Sequence, residues 1–201
     1  MVSTLRQAVL AIAVLTVLCG GWDELAGQSR PTGKPRLGYS DIVVANRPRS
    51  PDACWERANV VAEVMAIETG PAFERDPNTP ARYKMPWTPT VVQVREVFKN
   101  SSGLTVEVGQ TVRVLQAYGR VETRDYYVEL DADRRDFERG QRSFVFLHCA
   151  ENTDECETRG PVLRINGESL ANDRATDDLR AHGTTGMRAR LRALAGPGRH
   201  N

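Results

Sequence analysis

Short runs of alternating apolar and polar residues recur along this chain, separated by turn-forming residues. The clearest run, 59–69, has apolar side chains on both faces, which predicts a strand buried on both sides for part of its length. Further strands are predicted over 91–99, 111–118, 126–130, 143–149 and 162–165. Short strands at this spacing, joined by turn signals, predict a mainly β fold, an antiparallel barrel or sandwich.

The segments on either side of this β pattern have a different character. Residues 22–50 lack apolar periodicity and carry prolines among Arg, Gly and Ser, which predicts a flexible linker. The β domain is then expected over 51–168, and 169–201 is expected to form a short helical tail that docks weakly or frays. The apolar residues that share one helical face of this tail are Met187, Leu191 and Leu194.

The N-terminus has the pattern of a secretory signal peptide over residues 1–21. One basic residue, Arg6, precedes the apolar run 8–18, and small residues suited to cleavage follow it. The run is too short to cross a bilayer, which takes about 20 residues, so no membrane span is predicted. We therefore expect a secreted or periplasmic protein. Lipidation of Cys19 is the alternative, and the large Leu18 directly before it disfavours that alternative.

Composition narrows the range of partners. The chain has 201 residues with a net charge of +1, so it offers no electrostatic argument for nucleic acid or an anionic membrane. What remains after removal of 1–21 suits one domain with a sizeable core. No cofactor is predicted, and the sequence names no oligomeric state.

Three cysteines remain after removal of the signal peptide, namely Cys54, Cys149 and Cys156. In an oxidising compartment two should pair and one should be left over. Cys149 and Cys156 flank a polar turn between strand-like runs, which favours a disulfide across that turn. A Cys54–Cys156 bond is the alternative.

Other candidate chemistry is weak. His148, with Cys149 and Cys156, is too small a set for a structural zinc site, and His148 would point to the opposite strand face from Cys149. The acidic stretch 131–136 lacks the glycine and the final glutamate of a calcium loop. No metal site and no catalytic residue is therefore predicted.

Four segments follow one another in an order that suggests a known family. They are ANVVAEV at 58–64 with Cys54 shortly before it, VREVFKN at 94–100, VGQTVRV at 108–114 and FERGQRSFVFL at 137–147. Together they resemble the netrin-module family, the OB-fold barrel shared with tissue inhibitors of metalloproteinases. The resemblance implies an antiparallel OB-like β-barrel over 54–165. Those inhibitors act through an N-terminal Cys-x-Cys motif, which this chain lacks. The resemblance therefore implies the fold and not the inhibitory N-terminus.

The segment 70–89 is the best candidate for a functional site. It is rich in prolines and predicts a long irregular loop, a length that is uncommon unless the loop binds something or is disordered. Its candidate binding residues are Phe73, Tyr83, Met85 and Trp87. Aromatic side chains on a constrained loop can bind a partner at low entropic cost. The alternative is that these side chains only cover one end of the barrel.

These observations favour a secreted, non-enzymatic binding domain whose partner is an extracellular or envelope protein. One alternative is a secreted protease inhibitor that acts through the barrel surface. A hydrolase is the third hypothesis, although no serine lies in a G-x-S-x-G motif.

Overall fold

The computed structural model describes residues 33–37, 48, 50–101, 106–151, 153–172 and 177–196. The predicted signal peptide and most of the predicted linker lie outside these ranges. The chain divides into two compact units, Met1–Pro35 and Arg36–Asn201, and every helix and strand given below belongs to the second.

The described part of the second unit is mainly β, with three short helices. The strands are β1 Arg36–Leu37, β2 Val60–Thr69, β3 Phe73–Glu74, β4 Pro86–Asn100, β5 Thr111–Ala117, β6 Gly119–Glu122, β7 Tyr127–Leu130, β8 Arg142–Cys149, β9 Glu155–Thr158, β10 Leu163–Asn166 and β11 Ser169–Ala171. The α-helices are α1 Pro51–Arg57, α2 Asp177–Ala181 and α3 Gly183–Ala195. The predicted tail thus begins with β11 and continues through α2 and α3.

Five strands close into a barrel, which confirms the predicted fold class. Hydrogen-bonded neighbours follow the circuit β2–β4–β5–β9–β8 and return to β2. The β5–β9 pair is parallel and the other four pairs are antiparallel. The strand β9, which closes the circuit, was not predicted as a strand.

Alternating side chains of the barrel strands fill its interior, because successive residues of a strand point to opposite faces. On β2 the inward residues include Val60, Ala62 and Val64, and on β8 they include Val145 and Leu147. These five side chains are at most 2 % exposed. The alternation read from the sequence therefore identifies the inner core.

A second core lies between the outer wall of the barrel and the helices. The outward Phe144 and Phe146 of β8 share an apolar cluster with Met187 and Leu191 of α3, and all four are completely buried. The C-terminal helix is thus part of the core, which differs from the weak docking or fraying expected from the sequence. The reason is that β8 is apolar on both faces, so its outer face needs a covering layer.

Candidate functional site

The segment 70–89 is more regular than the sequence predicted. β3 lies beside the start of β4, with Phe73 opposite Trp87 and Glu74 opposite Pro86. A short 3-10 helix, Ala81–Tyr83, follows the turn, and β4 begins at Pro86. The segment is therefore a folded extension of the barrel wall.

The four predicted binding residues differ in exposure. Tyr83 is 49 % exposed, whereas Phe73, Met85 and Trp87 are half-buried. Trp87 lies on the outer face of the barrel, because the alternate β4 residues Thr88 and Thr90 are buried and face inward. The structure brings Phe73 and Trp87 together on neighbouring strands, as the sequence could not show.

An arginine side chain lies over each of the three aromatic rings of this segment. The guanidinium carbon of Arg113 is 5.5 Å from the ring centre of Phe73, that of Arg75 is 5.8 Å from Trp87, and that of Arg82 is 4.6 Å from Tyr83. These separations are within the range of cation–π attraction. We call this set the arginine–aromatic surface: Phe73, Arg75, Arg82, Tyr83, Trp87 and Arg113.

Two of the three arginines are also held by carboxylates of β9. Arg113 forms an ion pair with Glu155 at 2.9 Å, and Arg75 forms one with Glu157. Within the described part of the chain, Arg82 has no carboxylate partner; its side chain is exposed beside Tyr83. A charged donor stacked on an exposed ring is thus available to an acceptor from outside.

Three polar side chains of this region contact one another: Lys84, which is buried, and Glu74 and Tyr126, which are half-buried. The ammonium of Lys84 pairs with one carboxylate oxygen of Glu74 and donates to the carbonyl of Pro77 at 2.9 Å. The hydroxyl of Tyr126 donates to the other Glu74 oxygen at 2.8 Å. The hydrogen bond to Glu74 raises the pKa of Lys84 above its usual value, so the Lys84 ammonium stays protonated at neutral pH.

The cysteines are arranged as the sequence favoured. Cys149 and Cys156 are bonded, which confirms the predicted disulfide, and they lie directly opposite each other on β8 and β9. Cys54 is a free thiol with no exposed surface. Burial raises the pKa of this thiol to about 12, so it stays protonated and unreactive at neutral pH.

A further polar cluster joins β5 to the chain segment between β7 and β8. The buried Gln116 of β5 donates through its amide to Asp136 at 2.7 Å, and Asp136 also pairs with Arg134. Arg134 lies over the ring of Tyr118, 5.5 Å from its centre, and burial raises the pKa of that phenol. Through Asp136, these contacts attach the stretch 131–136 to β5.

Among the residues that the structure describes, no group of three or more His, Cys, Asp or Glu side chains is placed to hold a metal ion. In the same ranges no helix is long and apolar enough to cross a membrane. His148 is exposed on β8, on the face opposite the bonded Cys149.

Sequence reasoning found the aromatic half of the arginine–aromatic surface and missed the arginines. No local signal distinguishes Arg75, Arg82 and Arg113 from the many other arginines of the chain. Comparison with models of protein families and with curated proteins finds no match to this chain. Its function is therefore inferred from the geometry of these residues.

Proposed function

We propose that this protein is an exported, non-enzymatic interaction domain that binds an extracellular or envelope protein through the arginine–aromatic surface. The observation that carries the proposal is the stacking of Arg75, Arg82 and Arg113 on the three aromatic rings of the 70–89 segment. Tryptophan, tyrosine and arginine are enriched among the few side chains that carry most of the binding energy at protein interfaces. Rigid rings, already oriented by neighbouring side chains, lose little entropy on binding.

The proposal includes a barrel of the OB type. OB folds are five-stranded Greek-key barrels, and the circuit β2–β4–β5–β9–β8 with its parallel β5–β9 pair supports this assignment. Export is supported by the signal-peptide pattern over 1–21 and by the Cys149–Cys156 disulfide, a bond that persists mainly in oxidising compartments.

The binding proposal is tested by first capturing the partner with a photo-crosslinking amino acid at position 83 in exporting cells. The affinity of the purified pair is then measured for the native protein and for Arg82→Ala/Tyr83→Ala. We expect this variant to bind at least about tenfold more weakly, because such side chains are typical hot spots. Its unfolding temperature should be close to native, because Arg82 and Tyr83 are exposed.

Arg139→Ala is the matched control, because Arg139 is an exposed arginine outside the arginine–aromatic surface. It should leave the affinity unchanged. Equal affinity of the native protein and of Arg82→Ala/Tyr83→Ala would contradict the proposed binding surface. Export is tested separately by the mass of the mature protein, which should begin near Trp22; an intact Met1 or a lipid on Cys19 would contradict it.

A further inference from the structure

Glu74 lies at the centre of a set of polar contacts that joins the 70–89 segment to Tyr126. Its side chain is 10 % exposed and that of Lys84 is 7 % exposed. One carboxylate oxygen of Glu74 pairs with the ammonium of Lys84, and the other accepts a hydrogen bond from the hydroxyl of Tyr126. Lys84 also lies over the ring of Tyr126, 4.9 Å from its centre, and donates to the carbonyl of Pro77.

These contacts join parts of the chain that are separate in sequence. Glu74 lies in β3, and Pro77 lies in the turn that follows it. Lys84 directly follows the 3-10 helix, and Tyr126 lies in the turn between β6 and β7. Buried lysine and glutamate side chains are rare unless they are paired. Loss of one partner leaves a buried charge unsatisfied, and that favours an opened segment in which the charge reaches water.

We infer that Glu74 is a positioning residue that holds the 70–89 segment in the one conformation that displays Arg82 and Tyr83. This inference rests on the proposed function, because positioning matters only if the arginine–aromatic surface binds a partner. Arg82 and Tyr83, which are both exposed, lie directly before Lys84 in the chain. Opening of the segment therefore leaves Arg82 and Tyr83 without a fixed position, and the cost of ordering them again weakens binding to a partner.

The test measures opening of the segment in the full protein without a partner. Glu74→Gln should raise the rate of trypsin cleavage after Arg82, and amide hydrogen exchange over 75–83, at least about tenfold. Exchange in β2 and β8 should stay at the native rate. Tyr126→Phe removes only the hydroxyl donor to Glu74 and should give a smaller rise in the same amides; it provides a readout if Glu74→Gln does not fold.

Glu74→Gln/Lys84→Met removes both charges and should return exchange over 75–83 to within about threefold of native, since a neutral pair leaves no buried charge. Glu122→Gln removes one negative charge from an exposed ion pair on β6 and should change nothing. Native exchange over 75–83 in both Glu74→Gln and Tyr126→Phe would overturn the inference. So would a uniform rise across the barrel, which indicates a purely structural role. Because no partner is present, either result is distinguishable from failure of the binding surface itself.

Discussion

The disulfide between Cys149 and Cys156 should stabilise this barrel mainly by holding β9 in place. β9 is only four residues long, and it pairs with β5 and with β8 through three residue pairs each. It closes the barrel between those two strands. We therefore expect the Cys149→Ala/Cys156→Ala variant to lose overall stability, with the largest local loosening at the closure.

The size of the loss follows from the loop that the bond closes. The two cysteines are separated by 7 positions. The entropy of closing a loop of that size corresponds to about 2.5 kcal/mol at room temperature. In a domain of this length such a loss lowers the unfolding temperature by roughly 5–10 °C. Both side chains are only 2 % exposed, so their truncation adds a packing cost.

Calorimetry or urea unfolding of the double variant measures the loss of unfolding free energy, with Cys54→Ala as the cysteine control. Hydrogen exchange shows where the barrel loosens: in the variant, exchange should increase more for the amides of 155–158 than for those of β2 and β4. Two results would refute the reasoning. One is an unfolding temperature within about 1 °C of native, well below the expected shift. The other is faster exchange spread evenly over all five barrel strands.

Three other predictions concern buried polar groups. Burial raises the pKa of Cys54 from 9.0 to about 12, so between about pH 9 and pH 12 only the unfolded state releases this proton. Over that window the free energy of unfolding should fall by about 1.4 kcal/mol per pH unit in urea titrations, and less steeply in Cys54→Ala. The side chain of Glu63 is 1 % exposed and forms ion pairs with two arginines, so Glu63→Gln should lower the free energy of unfolding by about 3 kcal/mol. Glu96 is more exposed, so Glu96→Gln should lower it by less than about 1 kcal/mol. The Asn59 amide exchanges two hydrogen bonds of 2.8 Å with the backbone of Cys149, so Asn59→Ala should lower the free energy of unfolding by about 2 kcal/mol; an unchanged urea midpoint would contradict this.

The sequence predicted those parts of the fold whose side chains alternate clearly. β2, β5 and β8 lie close to their predicted ranges because their inward residues are apolar. β4 covers its predicted range 91–99 but begins at Pro86, inside the segment predicted as a loop. β9 was missed because only Cys156 of its four residues is apolar, and its neighbours are Glu155, Glu157 and Thr158. A strand that places one small side chain in the core gives no periodic signal, and its position is set by pairing with β5 and β8.

The same limit applies to the tail and to the candidate site. Met187 and Leu191 gave a helical pattern, but their complete burial depends on the apolar outer face of β8, which lies about 40 residues earlier. The aromatic residues of the 70–89 segment stood out because prolines and rings are visible in sequence. The position of Arg113 over Phe73 depends on the fold and could not be read from either residue alone.

β9 connects the disulfide to the candidate site. Its Cys156 is bonded to β8, while Glu155 and Glu157 extend outward and hold Arg113 and Arg75 over their rings. The strand therefore contributes to the core through one side chain and to the arginine–aromatic surface through two others. Leu115 of β5, which pairs with Glu157 of β9, has no exposed surface. A change that loosens β9 should thus disturb the surface as well as the barrel closure, even though none of its residues is aromatic or belongs to the 70–89 segment.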